Sequence, residues 1–360
     1  MQARENTLRA YTFRKPEFIP VHASVSRACW DIPDIEYLEG LDAMMGTHPL
    51  LFPNHKPAGS REALLSAIAG KPYAPHQKAG PVYIDSWGCE WKTSVSGMTG
   101  GVIRHPLASW DALADFIPPD PETQNGWGVM NWPATLRHIS DGKAHGRLTA
   151  GGLRHGFLFL TLTYLRGLDR VSFDMYDEEP RLAEILGMLE SFNAFFVRRY
   201  VESGVDMMYY PEDLGTQQSL LVTPAHFRKY LAPVYHRLME PCRQAGILVH
   251  MHSDGRIMDL ADDLLDCGVQ ILNIQDLVNG IDNISRHLKG RVAIHLDLDR
   301  QNITVRGTPA DVDDLVREAV EKLGSPEGGL AMVHGLYPGT PLPNVRALWD
   351  AMEKYSHYLN

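Results

Sequence analysis

The strongest constraint in this 360-residue chain is a pattern that repeats through its second half. A short, almost wholly apolar run ends in polar groups and is followed by an amphipathic helical segment. The apolar runs are VDMMYY, GILVHMH, VQILNI, RVAIHLDLD and GGLAMVH. Strands that read as continuous apolar runs are buried on both faces, which is the signature of a parallel sheet covered by helices. The intervening segments carry helical punctuation. EEPRLAEILGMLESFNAFFVRRYVES places Leu182, Ile185, Leu186, Leu189 and Phe196 on one face. TPAHFRKYLAPVYHRLMEPCRQAG opens with Thr223 as N-cap and Pro224 in the first turn and ends at Gly246. TPADVDDLVREAVEKLG repeats that grammar from Thr308 to Gly324.

Strand–helix alternation over this length implies a parallel α/β fold. A doubly wound nucleotide-binding sheet would carry a Gly-rich first turn, and neither GxGxxG nor GxxxxGK[ST] occurs. The expectation is a (β/α)8 TIM barrel spanning residues 1–360 as one domain. Residues 1–145 are irregular and rich in Pro and Trp, and 1–80 are read as an N-terminal extension packing on the barrel.

Composition narrows the function classes. A formal charge of −10 disfavours nucleic acid, which needs a basic face to neutralise phosphates. No apolar run approaches the roughly 18–20 residues that span a bilayer, and the first residues lack a secretory signal pattern. The chain is therefore expected to be cytoplasmic, with no membrane partner. Four scattered cysteines without a CxxC pair argue against a disulfide framework or an all-thiolate zinc site.

In a barrel the catalytic groups come from the C-terminal ends of several strands. Here those ends supply Glu212 and Asp213; His250, His252 and Asp254; Asn273, Gln275 and Asp276; His295, Asp297, Asp299 and Arg300; His334 and Tyr337. PVYIDSWG adds Asp85 from the first half. Alternation along each strand means that only some of these can point inward. Imidazole and carboxylate from separate strands suit a catalytic zinc with three protein ligands and one open position. His252 and His334 are the first choices as ligands, with Glu212 or Asp254 completing the set. A metal-free acid/base cluster, or hydrogen bonds closing the barrel mouth, would use the same residues. The tryptophans of DSWGCEW and the methionines Met207, Met208 and Met251 read most simply as core filling.

At these residues the chain resembles the uroporphyrinogen decarboxylase superfamily, which holds the decarboxylase and corrinoid-dependent methyltransferases. The segments that carry the resemblance are SREALLSAIAGKP, EDLGTQQSLLVTPAHFRKYLAPVY, VHMHSDGRI and HGLYPGTPLPNVRALWDAME. In the zinc methyltransferases the comparable segment reads His-x-Cys, with a further Cys on the last strand. His252 matches that histidine, while Asp254 and His334 fall on the cysteines. A nitrogen/oxygen set suits polarising an oxygen better than activating a thiol, which argues against thiol methylation. The Arg-Gln-Ala-Gly-Arg-Tyr motif of the true decarboxylase is missing, which argues against a porphyrinogen substrate.

RENTLRAYTFRKPEFIPVHASVSRACW, THPLLFPN, DSWGCEW and GMTGGVIRHPLASW resemble a subgroup associated with demethylation of methyl ethers, especially methoxylated aromatics. The resemblance thus implies a zinc-dependent methyltransferase taking a methyl group from a small O-methyl donor to the cobalt of cobalamin. Asp85 and Tyr337 are then candidates for orienting substrate or transferring protons. The chain lacks the Asp-x-His-x-x-Gly signature of a cobalamin-binding domain, so the corrinoid would arrive on a separate protein; a homodimer is compatible with this reading. Two other readings fit less of the pattern: a metal-free decarboxylase of a small carboxylic acid, and a non-catalytic module that binds a corrinoid protein.

Overall fold

The structure, a computed structural model, describes residues 2–69 and 72–358. Gly70 and Lys71, at the end of the SREALLSAIAGKP segment, lie outside them. Ten strands are described: β1 (Val21–Val25), β2 (Tyr83–Ile84), β3 (Glu90–Lys92), β4 (Gly101–Arg104), β5 (Ala150–Gly152), β6 (Met207–Asp213), β7 (Leu248–Asp254), β8 (Ile271–Gln275), β9 (Ala293–Asp297) and β10 (Leu330–Leu336). Seven form one sheet in the order β1-β10-β9-β8-β7-β6-β5, and every pairing is parallel. The five apolar runs of the second half are β6 to β10. Val21–Val25, within the stretch read as an extension, is itself a strand of this sheet.

One face of the sheet closes on itself. Met207, Leu248, Ile271, Ala293 and Ala331, from five successive strands, form a single buried cluster. Tyr11 joins them from the helix Ala3–Tyr11, which stoppers the N-terminal end of the barrel. Arg4 of that helix pairs with Asp206, just ahead of β6. The other face, with Met208, Tyr210, Val249, Met251, Leu272, Ile274, Ile294 and Leu296, belongs to the large cluster shared with the surrounding helices. The fold is an α/β barrel of the TIM type.

The helices end where their sequence punctuation says. Leu182–Ser203 buries Leu182, Ile185, Leu186, Leu189 and Phe196 and stops at Gly204, which is left-handed at φ 62°. Thr223 caps the segment starting at Pro224 by accepting a hydrogen bond from His226 N. Thr308 and Asp311 form a reciprocal capping box on Pro309–Leu323. No helix among the described residues is long and apolar enough to cross a membrane.

The expectation of eight barrel strands is met by seven. PVYIDSWG, read as a strand delivering Asp85 to the mouth, instead forms β2, which pairs antiparallel with β3 in a separate β2-β3-β4 sheet. The cause is local. Asp85 Oδ1 accepts hydrogen bonds from Trp87 N and Cys89 N, and Gly88 takes φ 81°, so the chain reverses within four residues. Among the described residues β1 and β5, the ends of the sheet order, do not pair with each other.

Candidate functional site

Strand parity decides which polar groups reach the barrel interior. Met207 and Leu248 face inward, so Tyr209, Pro211 and Asp213 of β6, and His250, His252 and Asp254 of β7, do the same. Residues in register on parallel strands share a face. Pro211, His252, Asn273 and His295 therefore form one layer, with Asp213 and Asp254 paired above it. Asp297 pairs with Gln275 at the same mouth.

His155, from the loop after β5, brings Nε2 to 3.5 Å from Asp213 Oδ2. His252 Nε2 lies 3.6 Å from Asp213 Oδ1 and 3.5 Å from Asp254 Oδ1. His155, Asp213 and His252 each offer one ligand atom, and the three atoms lie within 4.8 Å of one another. These separations are long for hydrogen bonds. They are close to the ~3.3 Å between neighbouring ligands that bonds of about 2.0–2.1 Å to a tetrahedral zinc imply.

The orientation of His252 is fixed from behind. Its Nδ1 lies 2.6 Å from Asn273 Oδ1, and Asn273 Nδ2 donates to the carbonyl of His295 at 2.7 Å. Because the amide nitrogen is committed to a carbonyl, Asn273 presents an acceptor to His252. Nδ1 therefore carries the hydrogen, and in the neutral ring Nε2 keeps its lone pair toward the carboxylates. Two nitrogens and one carboxylate oxygen, all opening to solvent, fit a catalytic zinc.

Charge reinforces the arrangement. Burial disfavours the charged form of His155, but contact with Asp213 outweighs it and holds the imidazole above its ordinary value. Burial likewise opposes ionisation of Asp213, yet His155, the charge of His252 and the N–H of Asp254 hold its carboxyl below its ordinary value. Arg300 reaches Asp254 at 2.9 Å and Asp297 at 3.1 Å, closing the other side of the mouth. Burial pushes the Asp297 carboxyl up to about 6 against the pull of Arg300.

The sequence-derived candidates divide. His252 and Asp254 are at the mouth, and Tyr337 stands beside it with the Arg300 guanidinium 5.5 Å from its ring centre. Glu212 is not there, because it follows inward-facing Pro211 and points out of the barrel. Completely buried, it accepts hydrogen bonds from the N–H groups of Leu158, Phe159 and Leu160, at the start of helix Phe159–Arg166, and from Tyr235 OH at 3.3 Å. Burial pushes its carboxyl up to about 7 against those backbone donors.

His334 is also corrected. Its neighbour Val333 is in register with inward-facing Asp297, so the imidazole points outward, beside Ala23 of β1. It is buried with neither ring nitrogen hydrogen-bonded, and burial, with Arg300 nearby, lowers it to about 3. Asp85 is occupied: besides its two backbone donors it accepts from Trp91 Nε1 and Arg154 Nη2, both at 3.0 Å. That carboxylate organises the β2–β3 turn rather than offering itself at the mouth.

Missing from the proposed ligands were His155 and Asp213, and Asn273 had no assigned role. His155 follows the three-residue strand AGG, which has no apolar run to announce it. Counting parity along β6 would have chosen Asp213 over Glu212.

The uroporphyrinogen decarboxylase (URO-D) family model matches residues 87–355. A uroporphyrinogen decarboxylase from Thermus thermophilus is 26% identical over 196 residues, covering 51% of this chain and 52% of that protein. A methylcobamide:CoM methyltransferase, MtaA, from Methanosarcina barkeri is 23% identical over 163 residues, covering 44% and 45% respectively. The chain thus spans about half the length of the curated relatives it matches. A solved methyltransferase from Methanosarcina mazei shares the fold across 98% of both chains, with a TM-score of 0.60 and 17% identity. The chain belongs to the uroporphyrinogen decarboxylase family.

Proposed function

We propose that this chain is a zinc-dependent methyltransferase that moves a methyl group from a methoxylated aromatic to the cobalt of a separate corrinoid protein. The similarity to methyltransferases supports the reaction class. The observation that carries the reading is the trio His155, Asp213 and His252, with the Nε2 of His252 aimed by Asn273. In this reading these three hold the metal, in place of Glu212 and His334, and Asp254 stands next to them. A zinc ion held there supplies Lewis acidity toward an oxygen of the substrate.

The remaining work falls to the chain's own groups. An aryl methyl ether is a poor methyl donor because the C–O bonding pair stays on oxygen as phenolate charge. Arg300, fixed between Asp254 and Asp297, supplies a positive charge at the mouth to meet it. Asn273 and the Asp254–Arg300–Asp297 bridge hold their neighbours before substrate arrives, so little reorganisation is needed during reaction.

Among the described residues the cysteines offer no methyl acceptor. All four cysteines are buried, and burial pushes Cys29 and Cys267 up to about 12, far from the thiolate that attacks. A partner that carries the reduced corrinoid supplies the acceptor.

The test is turnover of 1,2-dimethoxybenzene with the purified chain and a reduced corrinoid protein. The expected result is 2-methoxyphenol and methyl–cobalt in equal amounts, and neither product when the chain or the corrinoid protein is omitted. Release of carbon dioxide from a small acid without a corrinoid, and no 2-methoxyphenol, would reject the reading.

A further inference from the structure

Two of the three proposed zinc ligands stand on strands, and the third does not. Asp213 ends β6 and His252 lies within β7, each in register with the neighbouring strand. His155 lies on the loop after β5, its side chain is 46% exposed, and it reaches Asp213 at 3.5 Å. A half-exposed imidazole on a loop is not fixed by its own packing. Tight metal binding needs it fixed, because freezing a mobile side chain on binding costs free energy.

The chain on either side of His155 is tied down. Leu153 N donates to Tyr209 O at 3.0 Å, and Gly156 N donates to Pro211 O at 2.9 Å. The loop is thus clipped to β6, the strand that carries Asp213. Between those two bonds lie only Arg154 and His155.

Arg154 supplies the remaining hold. Its Nη2 donates to Asp85 at 3.0 Å, its Nη1 donates to Gly126 O at 2.8 Å, and its guanidinium stacks 3.9 Å from the Trp127 ring centre. Only 3% of the Arg154 side chain is exposed, and none of Asp85's. Gly126 has φ 93°, and a Cβ there would lie 2.9 Å from Arg154 Cδ, so a bare glycine is what admits the guanidinium. The grip is firm because Asp85 also accepts from Trp87 N, Cys89 N and Trp91 Nε1. Asp85 cancels the charge of the guanidinium as well, which would otherwise stand one residue from a cation site.

We infer that Arg154 is a positioning residue for the metal site: the Asp85 hairpin grips its guanidinium and so sets where the next residue, His155, meets Asp213. The inference rests on the proposed reading for calling His155 a zinc ligand. It gives the small β2-β3-β4 sheet a part in the site although none of its side chains is among the proposed ligands.

The chain contains its own control. Arg166 and Asp174 form a second buried pair at 2.9 Å, with the guanidinium stacked 3.8 Å from the Trp110 ring centre and donating to Leu107 O. The chemistry matches that of Arg154, but none of those partners belongs to the ligand trio.

The experiment measures zinc affinity by chelator competition, the visible spectrum of the cobalt(II)-loaded full chain, and the urea midpoint of each variant. Arg154→Met should weaken zinc by about tenfold or more and move the cobalt bands toward those of His155→Gln. Arg154→Lys, which keeps a donor for Asp85, should recover part of both. Arg166→Met should lower the urea midpoint comparably, leave zinc affinity within about twofold, and leave the cobalt spectrum unchanged. Trp127→Leu, at a partly exposed residue, removes only the stacked ring and serves where Arg154→Met does not fold; it should weaken zinc by about threefold. Parental zinc affinity and cobalt spectrum in Arg154→Met, or in Trp127→Leu where that one alone folds, overturns the inference. An equal zinc loss in Arg166→Met does so too, since general loosening would then suffice. A parent that binds no zinc, or binds it as tightly after His155→Gln, overturns the metal reading and this inference with it; variants that match a zinc-binding parent overturn this inference alone.

Discussion

Asn273 holds His252 in one tautomer: its Oδ1 lies 2.6 Å from Nδ1, and its Nδ2 is already committed to the carbonyl of His295. The two residues are in register on adjacent strands, so the contact is set by the sheet rather than by a mobile loop. Outer partners of this kind commonly account for about 10–100-fold in metal affinity. Asn273→Ala should therefore weaken zinc binding by about that factor while the chain stays folded. Competition with a chromophoric chelator, alongside circular dichroism, measures both; unchanged affinity would remove the assigned role of Asn273.

The ligand assignment separates adjacent residues. Asp213→Asn and His252→Ala should each lose most bound zinc, whereas Glu212→Gln and His334→Ala should retain it. Metal analysis after gel filtration distinguishes them. Loss of zinc from Glu212→Gln, with retention in Asp213→Asn, would mean that strand parity has been read the wrong way round.

Glu212 should matter for stability instead. Its carboxyl accepts three backbone N–H groups at a helix start, those of Leu158 and Phe159 buried and that of Leu160 partly so. Glu212→Ala leaves those donors without a partner, each costing about 1–3 kcal/mol if water cannot enter. A large fall in the urea midpoint is expected, and Glu212→Gln should recover part of it because one side-chain oxygen can still accept. An alanine variant as stable as the parent would contradict this account.

Asp85 and Arg154 form a second test of structure against chemistry. Their side chains are almost wholly buried and meet at 3.0 Å, with the guanidinium also stacked 3.9 Å from the Trp127 ring centre. Removing one partner of a buried pair typically costs about 3–5 kcal/mol because the other charge is stranded. Asp85→Ala should lower the unfolding free energy by about that amount in chemical denaturation. A loss below about 1 kcal/mol would show that water or another group takes over.

How much of this could be read beforehand depends on which physical signal each part leaves. The strands β6 to β10 were legible because burial on both faces demands unbroken apolar runs, and helix starts at Thr223 and Thr308 because their caps are written in single residues. The mouth was legible as a region, since polar groups crowd the ends of those runs. Which groups point inward was not, because a strand buried on both faces hides the alternation that would reveal parity; Glu212 and His334 stand among the expected ligands, and Asp213 does not, for that reason. PVYIDSWG was apolar enough to pass for a barrel strand, but the Asp85 turn folds it into a hairpin.

The last prediction follows from the opposite shifts of His155 and Asp213. The carboxyl of Asp213 is held below its ordinary value, so its contribution to stability is present above the unfolded carboxyl pKa and is lost as pH falls through the folded one. The imidazole of His155 is held above its ordinary value, so its contribution is full below the unfolded histidine pKa and is lost as pH rises through the folded one. The metal-free chain therefore keeps the ion pair between those two limits and loses its benefit at either side. Zinc needs the neutral imidazole, so its affinity should rise with pH until His155 has lost its proton, by about tenfold per unit for one proton displaced. Metal-free stability and zinc affinity should accordingly run in opposite directions as His155 deprotonates. Calorimetric zinc titrations in buffers of different ionisation enthalpy count the released proton, and His155→Gln should abolish that release. Zinc affinity that is flat with pH where His155 titrates would take His155 out of the ligand set.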